Sequence, residues 1–561
     1  MSGAAHQVPG RAAPVSAATV EARASAANVD AADSRTVIDL RLAPALAAAW
    51  LAALLVVRLP AAGAAAAGGA ALAAACGAAA AAGVPRRRLG ADPVARRGAP
   101  PERRAAPLLR SGAFALVVAA LVLAAGAAQL ASRDSGPWRR LVGEPVTLVG
   151  RVAGDPVLLP PSWPGAPEQA AWLLTVQEVG TAHARQRARA PVRVIGPAAR
   201  LPPFDARVRV AGVLRAERPG ARAVAVLLSA DDPVVVGRPP PWQRAALGVR
   251  ASEHRLAAAS TGDARALLPG VTVGDTTAVP DDLRAAMRAA GLTHLTAVSG
   301  AHFSLVAMLA VTLAGWLRVP RRWRPTLVVG AMVGMVVLVH PSASVVRAAA
   351  MGLVGVWGML LGRPARAPAA LAAAVVVLLV ADPWLAGEVG FVLSVVATGA
   401  IVLVGGPLTE RWAPRLGRVP AAALAVPVAA QLACGPVIAA LTPSFSTYAV
   451  VANVVAAPAV APATLLGLAA GVLETWWPSP AQPLGWAAGA ACWWIGKVAR
   501  VAAGAPGATV AWLPGATGVV VLGVAGLCVL RLLMPRAEPP QTSAPVEPAG
   551  RDAGQAAGGR W

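Results

Sequence analysis

The feature that most constrains this chain is a series of apolar runs, many near the roughly 18–20 residues that cross a bilayer core, with few charges inside them. Hydrophobic residues make up 57% of the 561 positions and charged ones only 14%. That is too little charge to cover a soluble protein of this length. The runs therefore read as spans. The expected fold class is a polytopic α-helical membrane protein with roughly 11–12 spans, interrupted by a small all-β domain.

The net charge is +23, almost all of it from arginine, since Lys497 is the one lysine. Arg, Ala, Gly and Pro share GC-rich codons, so the composition fits a GC-rich bacterial genome. Much of the excess then marks cytoplasmic loops rather than a ligand footprint, although a basic surface also suits a polyanion. Cys76, Cys434, Cys492 and Cys528 lie singly in apolar segments without a CxxC pair. Neither zinc nor disulfides are expected.

Residues 1–42 are polar and alanine-rich, without a signal-peptide core, and read as a disordered cytoplasmic tail. Residues 43–131 hold the N-terminal spans: two over 43–84, broken near Pro60, then an arginine cluster at 86–110 and a third span. The positive-inside rule puts the cluster in the cytoplasm, so the chain next emerges outside.

Residues 138–237 alternate instead. "PVTLVGRV", "AWLLTVQEV", "PVRVIG", "ARVRVAGVL" and "ARAVAVLLS" read as five strands between Pro/Gly-rich turns, the count of an OB-like barrel, here extracytoplasmic. Barrels of this kind that grip single strands stack bases on aromatics. Aromatics are few here, chiefly Trp138, Trp172 and Phe204, so docking is at least as good a reading as nucleic-acid binding.

Residues 242–293 carry arginines on one helical face and Leu, Met and Ala on the other, and are expected as amphipathic interfacial helices. Residues 294–533 return to spans and form the membrane core, whose breaks alternate between basic and non-basic loops. Gly435-Pro436, Pro458 and Pro462 are expected to break helices there. Residues 537–561 read as a disordered tail; Arg531 and Arg536 hint at a cytoplasmic end, but the sequence leaves the side of the C-terminus open.

Polar groups inside spans are costly and mark cavities or pairs. Ser299 and His302 share a face at the start of one span; Ser344 and Arg347 share one at an external helix end. Glu388 begins another span, with Ser394 nearly two turns on. Gln431 and Asn453 lie in apolar surroundings. Each has a plain alternative: a helix cap, a snorkelling arginine, an interfacial carboxylate or interhelical hydrogen bonding. GxSxG, HExxH and GxxxxGK[ST] patterns are absent, so neither a catalytic residue nor a cofactor is expected, and a partner or a gradient must drive any transport.

The chain resembles the ComEC family, the membrane channels of bacterial competence. The resemblance rests on "ALLPGVTVGDTTAVPDDLRAAMRAAGLTHLTAVSGAHFSLV" (266–306), with Gly274, Asp275, His294 and Gly300 as its entrance signature. "PSASVVRAAAMG", "DPWLAGEVGFVLS" and "AAQLACGPVIAALTPSFSTYAVVANVVAAPAV" then follow in order. Ala301 stands where the family usually has leucine, and Val392 where it has glutamine. The resemblance implies a channel in a bacterial cytoplasmic membrane that passes single-stranded DNA inward during natural transformation. It implies partners: a DNA receptor outside, an ATP-dependent helicase-like motor inside and a separate nuclease. No HxHxDH pattern occurs, so the family's metallo-β-lactamase-like nuclease activity is not expected of these residues. A transporter or flippase for a smaller anionic or lipid-linked substrate is the alternative; such a carrier needs one occluded midplane site, a DNA passage a continuous basic path. A third is a non-transporting scaffold. If 138–237 is external, a cysteine placed within 160–168 will react with an impermeant thiol reagent on intact cells; labelling confined to lysed cells would reverse the topology.

Overall fold

The computed structural model describes residues 41–83 and 102–534, apart from 162, 164, 183, 219, 297, 341–342 and 361–366. The two expected tails, the first half of the arginine cluster and most of the basic break at 362–368 lie outside the described residues.

Among the described residues three helices come first: α1 (Ala43–Val56), α2 (Ala61–Gly83) and α3 (Glu102–Asp134), with α1 and α2 both packed on α3. Among apolar surroundings helices gain little from burying leucine, so they adhere where small residues let backbones approach. A Cβ on Gly126 of α3 would stand 2.5 Å from Val56 Cγ1 of α1, which shows how close that approach is.

Seven strands follow: β1 (Pro145–Val152), β2 (Val157–Leu159), β3 (Gln169–Gly180), β4 (Arg185–Pro197), β5 (Arg207–Ala216), β6 (Ala225–Leu228) and β7 (Val234–Gly237). Five of them close on themselves in the order β1-β3-β4-β6-β5, with β5 returning to β1. Every pairing in the ring is antiparallel except β4–β6. Each of the five stretches expected as strands from alternation falls on a ring strand. Their inward residues, among them Leu148, Leu174, Val192, Val208 and Leu227, are all fully buried. Two glycines permit the closure. A Cβ on Gly212 would lie 2.2 Å from the Leu228 carbonyl oxygen, and one on Gly150, beside a bulge in β1, 2.4 Å from that of Thr175.

The remaining helices are α4 (Pro241–Ala258), α5 (Asp263–Val273), α6 (Asp281–Ala289), α7 (Gly300–Trp316), α8 (Arg324–Val339), α9 (Ala343–Leu360), α10 (Ala367–Ala381), α11 (Val389–Ala400), α12 (Gly406–Leu416), α13 (Arg418–Leu441), α14 (Ala449–Glu474), α15 (Pro478–Gly504) and α16 (Gly515–Leu533). Among the described residues, seven helical segments are long and apolar enough to cross a membrane, and α1, α7 and α10 are shorter apolar helices. β8 (Ser444–Ser446) and β9 (Thr509–Ala511) pair to tie the α13–α14 and α15–α16 connections together.

Two expectations change. Pro436, Pro458 and Pro462 do not break their helices: α13 runs from Arg418 to Leu441 and α14 from Ala449 to Glu474. A proline removes one backbone bond, and a helix whose flanking turns are held by neighbours can absorb that. Such support is present on α14, whose Ala452, Ala456, Ala459 and Ala463 are buried on either side of its prolines. The amphipathic stretch 242–293 also contains a helix that does not lie at an interface. Residues 266–273 of α5 are buried all round, against α4, α14 and α15.

The α4–α5 hairpin sits in a cradle of glycines. A Cβ on Gly467 or Gly471 of α14 would meet Thr272 and Glu253 at 2.3 Å. One on Gly485, Gly489 or Gly496 of α15 would meet Leu256, Ser260 and Asp263 at 2.7–2.9 Å.

Gly212→Val should therefore open the β-ring and destabilise it by about 1–3 kcal/mol, the usual cost of overpacking. Limited proteolysis of the full chain will check this, as faster cutting within 138–237.

Candidate functional site

The conspicuous polar construction lies where the β-ring meets the helices, and it begins at the end of α5. Gly274 caps that helix with φ 74°, a conformation glycine adopts freely, and a Cβ there would also press on Val339 at 3.0 Å. The turn presents Asp275. Its Oδ2 accepts from His254 Nε2 at 3.1 Å and Arg250 at 3.5 Å; its Oδ1 accepts from the Thr277 hydroxyl at 2.6 Å and backbone N–H at 3.1 Å. Burial pushes this carboxyl up, but the hydrogen bonds from His254 and Thr277 and the Arg250 charge outweigh it and hold Asp275 well below the usual carboxylate range.

Arg250 of α4 is 7% exposed. A buried guanidinium must be surrounded by acceptors. It donates to the carbonyls of Val273 at 2.8 Å and Leu338 at 3.4 Å, and to Asp155 Oδ2 at 3.3 Å, so it joins α4, the end of α5, the end of α8 and the β1–β2 loop. The other Asp155 oxygen meets His340 Nδ1 at 2.7 Å. His340 holds φ 67°, and its ring stacks on Phe204 of the β-ring, centroids 4.1 Å apart.

A second seam joins the β5–β6 loop to the turn before α11. Arg222 pairs with Asp382 at 2.8 Å, Trp384 Nε1 donates to the Gly220 carbonyl at 3.1 Å, and Arg133 of α3 donates to the Ala221 carbonyl at 2.9 Å. Asp382 also caps that turn by accepting from the Trp384 N–H.

Of the aromatics in 138–237, Trp163 is 63% exposed, and the three considered for base stacking are taken. Trp138 and Trp172 are each 3% exposed in the ring core, and Phe204 is covered by His340.

The stretch 294–306 is a capped helix start. His294 sits exposed in a short turn, Thr293–Leu295. Ser299 caps α7, and its N–H donates to His302 Nδ1 at 3.0 Å in a reciprocal box. That leaves the His302 proton on Nε2, buried and without a partner. Gly300 opens the helix with nothing within 4 Å of where a Cβ would stand.

Arg347 of α9 is 6% exposed, with its guanidinium over the Phe391 ring of α11 at 5.8 Å and its Nε without a partner. Glu388, at the start of α11, attracts it through space, but no direct ion pair joins the two among the described residues. The Ser344 side chain lies outside the described residues. Ser394 and Gln431 are half-buried on α11 and α13, which pack together. Asn453 does something plainer: its Nδ2 donates to the Ala449 carbonyl at 2.7 Å and that of Gly291 at 3.4 Å, tying α14 to the end of α6. The structure thus brings Arg347, Glu388 and α11 together, sets Ser299 and His302 on a separate helix, and makes Asp275 part of the seam between the β-ring and the helices. Asp155, Arg250 and Arg222 were missed, because their partners lie 25–185 residues away and carry no local pattern.

Residues 271–537 match the model of the competence protein family. That match covers just under half of the chain, whose helical part is thus similar to competence proteins. ComE operon protein 3 of Bacillus subtilis (strain 168) is 28% identical over 211 residues, which cover 38% of this chain and 26% of that protein. The likeness thus spans about a quarter of the curated relative. No solved structure matches the chain. The ComEC match begins within α5, so it takes in Gly274 and Asp275, the α7 start and the whole Arg347–Glu388 region.

Asp275→Asn should cost about 1–3 kcal/mol, the scale of a lost charged contact beside a buried arginine. Because the folded carboxyl is depressed, its stabilisation is present above the ordinary carboxylate range and lost as pH falls through it. Thermal melts on acidification will therefore show a steeper decline in the wild type than in the variant.

Proposed function

We propose that this protein is a channel of a bacterial cytoplasmic membrane that carries single-stranded DNA inward during natural transformation. The observation that carries the reading is the competence-family match over helices that hold a buried, incompletely partnered arginine. The apolar helices are the membrane domain. The β-ring is an OB-like barrel on the external side; its strand order, with one parallel pair between the third and fifth ring strands, supports that assignment. With Trp138 and Trp172 in the core and Trp163 the one tryptophan of 138–237 left exposed, the barrel serves as a docked collar more than as a base-stacking platform. The chain is a conduit and not an enzyme. It works with a DNA receptor outside, an ATP-dependent motor inside and a separate nuclease.

A polymer of phosphates needs mobile positive charge, since one tight site would trap it. Arg347 fits that need: it is held by an aromatic face and a distant carboxylate and not by a bidentate pair. Deleting the gene should abolish internalisation of transforming DNA while leaving surface-bound DNA; undiminished internalisation would reject the channel, and lost uptake of a small anion alone would favour the carrier. Arg347→Ala should lower internalisation about tenfold, the scale of one charged contact of about 1.5 kcal/mol. Membrane abundance should stay unchanged, and Arg347→Lys should retain more function because charge matters here more than fork geometry. Parallel loss of abundance and uptake would make the residue structural.

A further inference from the structure

One ionisable group in the helical half has no part in the seams or the proposed passage. Glu253 of α4 is 0% exposed, and neither carboxyl oxygen has a hydrogen-bond partner. α4 is not among the candidate spans, yet this side chain points into the helix bundle and not to its surface. The space it fills is built for it: a Cβ on Gly471 of α14 would stand 2.3 Å from Glu253 Oε1 and 2.9 Å from its carboxyl carbon.

We propose that Glu253 is a proton-binding site, occupied at neutral pH, whose emptying loosens the α4–α5 hairpin from its glycine cradle. The ligand is the proton itself.

The donors around the carboxyl argue for the neutral acid. The hydroxyl that acts on it is Thr272 of α5, but that hydroxyl already donates its proton to the Leu268 carbonyl at 2.7 Å. Thr272 Oγ1 therefore offers Glu253 lone pairs, which a carboxylate cannot use and a carboxylic acid O–H can. Among the described residues no cation compensates a charge here. On α4, Arg255 is taken by Glu474, donating from Nε at 2.8 Å, and Arg250 by the seam between the β-ring and the helices. On α14, Glu474 is itself an anion and adds repulsion. On α15, Cys492 is fully buried and close enough to feel Glu253, and Arg500 is held by Asp263 of α5 and Asp282 of α6. The part of α8 beside α4, ending at Val339, carries no titratable side chain; Arg324 stands at its opposite end. Burial pushes the Glu253 carboxyl up to about 8, with the Glu474 charge adding to it.

The coupling follows from the same geometry. An ionised carboxylate cannot remain dry and unpartnered, so it must draw in water or move out. Either change separates α4 from Gly471, because no space exists between them. The unfolded-state pKa is near the ordinary 4.5. Below that, both states are protonated. Between 4.5 and about 8 the folded chain keeps a proton that the unfolded chain has lost, so stability falls with rising pH, and above about 8 the loss is complete.

The test uses the full chain in detergent micelles or lipid nanodiscs, with Cys76, Cys434 and Cys528 changed to Ser so that Cys492 is the one thiol. Infrared difference spectra of wild type minus Glu253→Gln at pH 7 should show one carboxylic-acid C=O band that shifts in heavy water and disappears with a midpoint near pH 8. Labelling of Cys492, which the seated hairpin covers, should accelerate more steeply above that midpoint in the wild type than in Glu253→Gln. The variant mimics the neutral acid, so it should fold, and the Glu253 charge itself disfavours the Cys492 thiolate, so faster labelling of the wild type reports access and not thiol titration. An absent band, or one that vanishes in the ordinary carboxylate range, overturns the proton site. A band with the expected midpoint but identical labelling profiles overturns the coupling. Neither readout involves DNA, so the outcome stands apart from the channel reading.

Discussion

Arg250 is the contact on which the arrangement of the two halves depends. One guanidinium, buried to 7% exposure, satisfies the carbonyl ends of α5 and α8, the Asp275 carboxylate and a carboxylate from the β-ring. Taking such a charge out of water costs several kcal/mol, and only a complete set of acceptors offsets it. Each acceptor therefore has to be in place for the others to be worth having. This is the physical reason for the left-handed Gly274, which turns Asp275 toward Arg250, and for the unusual backbone of His340, which completes the shell of Asp155.

Below that contact the helices rely on a different device. Glycines on α14 and α15 take the place of side chains so that a hairpin carrying Thr272, Glu253, Leu256 and Asp263 can lie against bare backbone. Packing of this kind gains from close approach and not from the exclusion of water, which suits helices whose surroundings are apolar on every side. It also makes polar cargo possible: a carboxyl and a hydroxyl can be carried into the bundle because small residues leave them room.

How much of this could be read beforehand differs by element. The ring strands were legible because alternation of two is local, and Val208 and Val210 between Arg207 and Arg209 show it within one turn of chain. The closure of the ring, which needs β5 to return to β1, was not. The prolines of α13 and α14 misled because a local rule cannot see the alanine faces that hold the flanking turns. Among polar residues, Ser299 and His302 were close enough in sequence for their pairing to be anticipated, and Gly274-Asp275 carried a recognisable signature. Arg250 looked like one more arginine on an amphipathic face, and nothing local singled out Glu253. Only the positions of α8, α14 and the β1–β2 loop show that both are buried.

The span of the Asp155–His340 bond has a consequence for biogenesis. Its two ends are 185 residues apart. The last ring strand ends at Leu228, so at a synthesis rate of about 5–20 residues per second the β-ring is finished about 6–22 s before His340 emerges from the ribosome. During that interval Arg250 is already made, but the Phe204 face and one Asp155 oxygen await His340, and the ring must stand as an independently folded body tethered to the helices before it. Its closed strand order leaves few unpaired edges for a neighbouring chain to capture while it waits. Assembly is thus a late docking of two finished parts, and its completion awaits the turn at which α8 ends.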